Sequence, residues 1–531
     1  MEPRKKKKLK RFYLHPITVF LLLTIAVIII SAISSLLQLQ ATYNIVNENT
    51  NELEPVLITV ENILTLENIK LVISDSLKNF LSFSPLGTLL LALIGLSVAE
   101  GSGLIEMLTK KYLEKIPNWA LTFIVIFLAT TSSLINEVGY AILIPLFALI
   151  YFMKGRNPIL AVVTAFCGVA FGYGVSIFVG STDIALMTYT KSAAHLIDEA
   201  YHVGLSSNLV YIIVATIVTS IVGTVVIERI ISYKIGHYKK EEDFSKTEQY
   251  RVINFEEEEQ RKIEREKNEK KGLRLSLIVG LILILIYIYM LIPGLPASGL
   301  LLDNHAKTYA DQLFGDNSYF QSSFTALVTL LLFVMGLAYG IGSKTIKNDK
   351  QLVEASTKKF SDIGQIILLM FVVSQFISIY KMTNLGTIVT TWLANLLSKM
   401  TLTGIPLIII ATLFIAVSNL LLTSNTTKWM IFSPIVVPMF MQANMTPEFA
   451  QAMMRSATSI TNGMTPIMAS FVIYIGYLNI YNLNKDKPYT INKSLTLIRP
   501  YFLIMALTWI LLLVFFYIVG LPIGVNTFPA L

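Results

Sequence analysis

The sequence has few charged residues and almost no cysteine. Only 14% of its 531 residues are charged, whereas 54% are hydrophobic, and the mean hydropathy is +0.65. This composition is too hydrophobic for a soluble enzyme of ordinary composition. The single cysteine, Cys167, excludes an intramolecular disulfide and a cysteine metal site. The five histidines are scattered without the H-E-x-x-H spacing of a zinc hydrolase.

Long hydrophobic runs fill most of the chain and predict an all-α polytopic membrane protein. A helix needs about 20 apolar residues to cross a bilayer. On that basis we expect nine transmembrane helices plus two re-entrant hairpins in inverted-topology repeats. The nine runs lie at about 15–37, 84–99, 158–183, 208–231, 275–295, 320–342, 360–380, 448–481 and 501–519. The third run is rich in glycine, which indicates a broken or tightly packed helix.

Two further apolar segments are each interrupted by a polar stretch. In the second, at about 405–441, the polar residues around Asn425 separate two apolar arms that are each too short to span. Two short arms favour a re-entrant hairpin, whose non-helical tip is tolerated at membrane depth only inside protein or beside a wet cavity. The first segment, at about 118–153, has the same pattern around Asn136.

The two interrupted segments align without a gap at a shift of 289 residues. Paired interrupted segments in two halves of a membrane protein are the best sequence indication of a transporter's binding site. Chance similarity between apolar stretches is the alternative, and the shared proline and glycine positions argue against it. The aligned pairs are Asn136 with Asn425, Tyr140 with Trp429, Ile142 with Ile431, Pro145 with Pro434, Pro158 with Pro447, and Gly174 with Gly463.

The distribution of Lys and Arg sets the expected orientation, because cytoplasmic loops are rich in these residues. The basic N-terminus, 1–14, lies in the cytoplasm, and an odd number of spans leaves the C-terminus external. The two hairpins then enter from opposite faces, as inverted repeats require. The chain divides into a first half, 15–231, a charged cytoplasmic linker, 232–273, and a second half, 274–531. The linker separates the repeats, and a regulatory or partner-binding role is the alternative.

Ionisable residues stand at or near both polar interruptions. A charge at the bilayer centre costs roughly 2.5–3.5 kcal/mol on insertion scales, so each needs a partner or a function. We predict that the two hairpin tips face each other and form a substrate cavity. The residues expected to bind the substrate are Asn136, Glu137, Ser424, Asn425, Lys428, Trp429, Arg455 and Asn462. Glu137 and Asn419 are expected to take part in ion coupling, with sodium near Asn136 and Asn425.

Structural alternatives exist for the same residues. Glu137 with Lys428, and Asp183 with Arg455, could be permanent ion pairs that hold the hairpins in place. The many hydroxyl and amide groups nearby exceed what two ion pairs need. Trp429 could pack in the core or anchor the membrane interface, but its position directly after a polar tip suits stacking on a substrate ring.

Six motifs resemble, in order and spacing, those of the p-aminobenzoyl-glutamate transporter (AbgT) family: AEGSGL, NEVGYAILIPLFAL, GRNP, VGSTDIAL, SNLLLTSNTTKWMIFSPIVVPMFM and RSATSITNGMTPIM. The resemblance implies an inner-membrane homodimer with nine spans and two hairpins. It implies secondary transport of p-aminobenzoyl-glutamate, or export of sulfonamide-like antimetabolites, driven by a proton or sodium gradient. It also implies substrate contacts on Trp429, Pro466 and Arg455, and an ion-linked carboxylate on Asp183.

Two positions depart from that family pattern, in which an Asp usually stands at the places of Glu137 and Thr458. The coupling ion and the substrate preference therefore stay open. A sodium-coupled dicarboxylate-type transporter with a related hairpin fold is the alternative. A membrane-embedded hydrolase would need a nucleophile with a base or a metal cluster, and a passive channel would not need two inverted hairpins. We expect no enzyme activity, no cofactor besides the coupling ion, and no nucleic-acid partner.

Overall fold

The computed structural model describes residues 14–47, 50–135, 138–238, 255–315, 317–357, 359–360, 363–484 and 486–524. These residues are mostly α-helical. Two residues predicted to bind the substrate, Asn136 and Glu137, lie outside the described residues. So do residues 1–13 and residues 239–254 of the charged linker.

The N-terminal part contains a long apolar helix, a small sheet and a second apolar helix. The two strands pair antiparallel, with Gln40 opposite Thr59 and Val46 opposite Leu53. The sequence analysis predicted no strands in this part of the chain, so the sheet was missed. The elements are α1 (Pro16–Leu36), β1 (Gln40–Val46), β2 (Leu53–Thr59), α2 (Leu66–Ser74), α3 (Ser76–Leu81), α4 (Ser84–Gly101) and α5 (Leu104–Leu108).

The first interrupted segment forms two helices on either side of residues 132–137. The run that follows is also divided, because α-helix stops at Phe171 and resumes at Ser181. A helix broken at its glycines was expected for this run. The elements are α6 (Asn118–Thr131), α7 (Val138–Met153), α8 (Pro158–Phe171), α9 (Ser181–Ala194), α10 (Leu209–Val226) and α11 (Ser232–Ile235).

The second half begins inside the segment predicted as linker, since one continuous helix starts at Phe255 and continues into the apolar run. The helical part of the charged segment is therefore continuous with the apolar run that follows it. The elements up to the second interrupted segment are α12 (Phe255–Met290), α13 (Tyr309–Phe314), α14 (Tyr319–Ser343), α15 (Asp349–Thr357), α16 (Gly364–Met382) and α17 (Leu385–Leu397).

The second interrupted segment again forms two helices, which flank a short non-helical stretch that ends at Ser424. The next run breaks after Thr461, as the corresponding run of the first half does after Phe171. The elements are α18 (Gly404–Asn419), α19 (Asn425–Gln442), α20 (Pro447–Thr461), α21 (Phe471–Ile480) and α22 (Ile491–Val519).

Seven helical stretches among the described residues are long and apolar enough to cross a membrane. They match seven of the nine predicted runs. The other two runs, 158–183 and 448–481, are the ones divided into shorter helices. The seven stretches are Pro16–Leu36, Ser84–Gly101, Leu209–Ile235, Ile263–Met290, Tyr319–Ser343, Gly364–Met382 and Ile491–Val519.

The internal repeat is visible in the helix bounds. A shift of 289 residues carries Met153 onto Gln442 and Pro158 onto Pro447, and all four residues are helix bounds. The helices opened by the two prolines, α8 and α20, are buried along their whole length. Pro is well suited to the first turn of a helix, because it lacks only an N–H that would be unpaired there. The two repeats thus contribute equivalent central helices.

The aligned glycines Gly174 and Gly463 each pack against the other repeat. The backbone N–H of Gly174 donates to Ser459 Oγ in α20 at 2.8 Å, and a Cβ at Gly174 would lie 2.5 Å from that oxygen. A Cβ at Gly463 would lie 2.6 Å from the ring of Phe171 in α8. Only glycine allows so close an approach, and this packing explains why both aligned positions are glycine.

Substituting Gly174 by Ala should therefore destabilise the protein. The added methyl forces α20 away from the break between α8 and α9, which should cost about 1–3 kcal/mol as in other overpacked cores. The measurement is the thermal unfolding midpoint in detergent. Gly87→Ala is the control, since a Cβ at Gly87 in α4 meets nothing within 4 Å. Equal midpoints for the two variants would contradict the packing described here.

Candidate functional site

The most polar of the central helices is α20, which is buried throughout although it carries Glu448, Gln451 and Arg455. Residues three and four apart lie on one face of a helix, so these three side chains form one stripe. In helix α9, Asp183 and Thr190 are seven residues apart, as Glu448 and Arg455 are in α20. The two stripes contact each other. Asp183 pairs with Arg455 and Thr190 pairs with Gln451, so the two helices run antiparallel.

The innermost contact is an ion pair between Arg455 and Asp183. Arg455 Nη1 donates to Asp183 Oδ1, and the two side chains are only 4% and 3% exposed. The other carboxylate oxygen of Asp183 accepts the backbone N–H of Gly180 at 2.9 Å and so caps the start of α9. Arg455 Nε has no hydrogen-bond partner among the described residues. The guanidinium therefore retains an unused donor in the protein interior.

The next contact joins three helices. Thr190 Oγ1 lies 2.8 Å from Gln451 Oε1 and also accepts the indole N–H of Trp429 at 2.8 Å. Trp429 is fully buried. In this conformation its ring is therefore enclosed by protein and offers no open face to a ligand.

The outermost contact lies between Tyr201, in the loop after α9, and Glu448. The phenol donates to Glu448 Oε2 at 2.8 Å. Burial and the neighbouring carboxylate raise the pKa of Tyr201, so the phenol stays protonated and remains a donor. We call the set of six side chains the polar ladder. Its members are Asp183, Thr190 and Tyr201 on one side, and Arg455, Gln451 and Glu448 on the other.

Lys428 forms a second buried polar cluster with Asn419. The ammonium is fully buried and donates to Asn419 Oδ1. The amide nitrogen of Asn419 donates to the carbonyl of Thr458 and to the hydroxyl of Thr461, both at 3.1 Å. The cluster thus ties both arms of the second interrupted segment to α20. No acidic side chain among the described residues pairs with Lys428, and Glu137, the suggested partner, lies outside them.

The remaining predicted residues occupy different surroundings. Ser424 caps α19 by accepting the N–H of Thr427 at 3.3 Å and is exposed, and Asn425 beside it is half-buried. Asn462 is buried, and its amide nitrogen has no partner among the described residues. Pro466 lies on the wall of a separate cavity of about 1250 Å³ that Lys487 and Lys493 also line.

The sequence prediction identified the Lys428 cluster and one end of the polar ladder, and it missed the rest of the ladder. Asp183, Arg455, Lys428 and Asn419 were predicted and are all engaged. Thr190, Gln451, Tyr201 and Glu448 were not identified. A spacing of seven residues is the signal that could have indicated two facing stripes. It separates Asp183 from Thr190 and Glu448 from Arg455.

The acidic and histidine side chains do not suggest a transition-metal centre. Within the described ranges, no group of three or more His, Cys, Asp or Glu side chains could hold a metal ion. The sodium site expected between Asn136 and Asn425 involves a residue outside those ranges. It therefore stays a prediction.

A protein-family profile described as "AbgT putative transporter family" matches residues 10–531. The chain belongs to the AbgT family. This membership confirms the resemblance found in the sequence motifs, and with the seven long apolar helices it makes the protein a multi-pass membrane transporter. Its substrate is accordingly a small molecule, and the protein is not expected to be an enzyme.

Individual members of the AbgT family are similar over nearly the whole chain. The p-aminobenzoyl-glutamate transport protein of Escherichia coli K12 is 28% identical over 97% of this chain and 94% of its own. The YdaH transporter of Alcanivorax borkumensis is 26% identical, covers 96% of this chain and 100% of its own, and has a TM-score of 0.46. Neisseria gonorrhoeae MtrF, whose structure illuminates a class of antimetabolite efflux pumps, is 29% identical over 98% of both chains, with a TM-score of 0.47.

The ion pair of this AbgT protein should behave as a buried one. Asp183→Asn leaves a desolvated guanidinium without a counter-charge, which typically costs about 3–5 kcal/mol. The double variant Asp183→Asn with Arg455→Gln removes both charges and should recover much of that loss. The measurement is the free energy of unfolding in detergent.

The control is Glu264→Gln, which removes the partner of Lys344 at 3.4 Å, where both side chains are more than half exposed. Exposed pairs contribute about 0–1 kcal/mol, so this variant should be nearly neutral. If Asp183→Asn were no more destabilising than Glu264→Gln, the ion pair would not hold the site together.

Proposed function

We propose that this protein is a secondary active transporter that moves p-aminobenzoyl-glutamate, or related aromatic or antifolate-like anions, across the cytoplasmic membrane. The transport is coupled to a proton or sodium gradient. The observation that carries the proposal is the burial of two cations, Arg455 and Lys428, within the membrane-embedded core of an AbgT-family protein. The name of the Escherichia coli relative supports the substrate class.

Arg455 is the primary site for a substrate carboxylate. Its planar guanidinium can bind a carboxylate through two parallel hydrogen bonds. In this conformation Nη1 is used by Asp183, while Nε has no partner in the part of the chain that the structure describes. A substrate carboxylate takes the place of Asp183 when the ladder opens. Asp183 then binds the coupling ion, which compensates the charge that it no longer shares with Arg455.

Lys428 and Trp429 supply the other two contacts. They are consecutive residues of α19, which begins at the polar interruption. The ammonium of Lys428 pairs with the second carboxylate of a glutamate-bearing substrate, and the indole of Trp429 stacks on the aryl ring. Because Trp429 is enclosed in this conformation, both contacts require α19 to separate from α9.

We further propose nine spans, two re-entrant hairpins of opposite orientation, a cytoplasmic N-terminus, an external C-terminus, and a homodimer. We assign the loops at 100–117 and 344–359 to the cytoplasm, and the segments at 38–83 and 382–401 to the outside. Contacts between distant segments support this orientation, because each joins segments on the same side. Lys359 pairs with Glu100 at 2.9 Å, and both lie in segments assigned to the cytoplasm. Asn395 Nδ2 donates to the Thr42 carbonyl at 3.0 Å, and both lie in segments assigned to the outside.

Single-cysteine labelling tests this orientation. In a Cys167→Ala background, a membrane-impermeant thiol reagent should label Asn51→Cys and Asn304→Cys in intact cells. Glu257→Cys should react only after permeabilisation, because its segment lies in the cytoplasm. Labelling of Glu257→Cys in intact cells would overturn the orientation and with it the inverted repeat.

Uptake into proteoliposomes tests the substrate and the role of Arg455. Arg455→Ala should abolish binding and uptake of p-aminobenzoyl-glutamate, since losing one partner of a desolvated charge pair costs about 2–5 kcal/mol. Trp429→Phe should weaken binding less than Trp429→Ala. Imposing sodium and proton gradients separately identifies the coupling ion, and a simple dicarboxylate in parallel tests the alternative substrate class.

The matched control is Arg265→Ala, because the Arg265 side chain is 80% exposed and forms its ion pair with Glu269 on its own helix. It should transport at the unaltered rate. Normal substrate binding by Arg455→Ala, or its failure to fold, would make Arg455 a structural residue. Uptake of the dicarboxylate alone would replace the proposed substrate.

A further inference from the structure

Glu448 is a buried carboxylate that the proposed substrate site does not use. It lies in the first turn of α20, and its side chain is almost entirely enclosed, with the residue 2% exposed. Its Oε2 accepts the phenol of Tyr201. Asp183 has Arg455 beside it, whereas Glu448 forms no ion pair with any Lys or Arg among the described residues. The second buried carboxylate of the polar ladder thus lacks a counter-charge.

A buried carboxylate of this kind can exist in two forms. Transferring an unpaired carboxylate anion into a protein interior is costly, which favours the neutral carboxyl. The N–H groups at the start of α20 and the hydroxyl of Tyr201 favour the anion. The two influences oppose each other, so the surroundings of Glu448 exclude neither form.

Other titratable groups surround this position. His195 Nε2 lies 3.1 Å from the Tyr201 carbonyl, so it contacts the backbone that carries the phenol. Arg455 lies two turns along the same face, about 10 Å away at 1.5 Å per residue. Tyr201 contacts Glu448 directly, and Asp198 lies close enough to act on Tyr201. Further along the same helix, Tyr517 of α22 contacts Phe449, Tyr211 of α10 contacts Ser456, and Asp183 of α9 pairs with Arg455.

We propose that Glu448 binds a proton during the transport cycle, in addition to the ion bound at Asp183, an inference that rests on the proposed anion transport. An O–H bond forms on a Glu448 oxygen with a proton taken from external water, and the same bond breaks when that proton is released to water. Neutral Glu448 adds no second negative charge to that of Asp183, whereas ionised Glu448 repels an anionic substrate that approaches Arg455. Proton and anion therefore favour each other's binding, and that coupling is reciprocal.

The substrate affinity of the intact protein as a function of pH tests this role. With p-aminobenzoyl-glutamate as the probe, wild-type affinity should fall as the pH rises through the ionisation of Glu448, by a coupling factor of roughly 5–150. Glu448→Gln keeps the shape and the acceptor for Tyr201 but cannot ionise. It should bind at high pH as tightly as wild type does at low pH. Glu199→Gln, which neutralises an exposed carboxylate of the same loop, should keep the wild-type profile.

Tyr201→Phe should shift the pH dependence of substrate affinity without abolishing it. Removing the hydroxyl takes a donor from the anionic form, so the midpoint of the affinity profile should move up by about one pH unit. A wild-type-like pH profile in Glu448→Gln would overturn the inference. So would a loss of affinity at every pH, because that result assigns Glu448 a structural role.

An infrared measurement without substrate separates this inference from the proposed substrate. The carbonyl stretch of a protonated carboxyl should be present in wild type at low pH, disappear as the pH rises, and be missing from Glu448→Gln. If wild type bound no p-aminobenzoyl-glutamate at any pH, the proposed substrate would be wrong. The infrared band would still show whether Glu448 binds and releases a proton. A band identical in wild type and Glu448→Gln would overturn the inference.

Discussion

The burial of Arg455 and Asp183 is the constraint on which the centre of the molecule depends. Desolvating two such ions costs several kcal/mol each, so neither can be left without a partner inside the protein. This requirement is consistent with the break between α8 and α9. Because α9 begins there, one carboxylate oxygen of Asp183 can cap the helix while the other pairs with Arg455. The requirement is also consistent with Gly174, whose missing side chain lets α20 approach the break.

The same constraint shapes the proposed transport cycle. An anionic substrate can reach Arg455 only if something else neutralises Asp183, which couples substrate entry to the binding of a cation or proton. The Lys428 and Asn419 cluster holds α18, α19 and α20 together, whereas the polar ladder joins α20 to α9 and the contact of Trp429 with Thr190 joins α19 to α9. In the proposed cycle, opening along the ladder would therefore expose Trp429, Lys428 and Arg455 at the same time.

The sequence predicted the features that have local signals. Prolines 158 and 447, the polar interruptions near Asn136 and Asn425, and the isolated charges Asp183 and Arg455 all stand out within apolar runs. The pairing of Thr190 with Gln451 could not be predicted, because 261 residues separate them and both types are common in buried helices. The strands at 40–59 were missed because the acidic composition of that segment obscured its short β-branched stretches.

Cross-linking α9 to α20 tests most directly whether the polar ladder opens during transport. In a cysteine-free background, Thr190→Cys and Gln451→Cys should be bridged by a short, reducible bifunctional thiol reagent, since their side chains are in contact. The bridged protein should lose substrate uptake and exchange, and reduction of the bridge should restore both. Uptake at the full rate while the bridge is intact would show that the ladder stays closed, and would contradict the account.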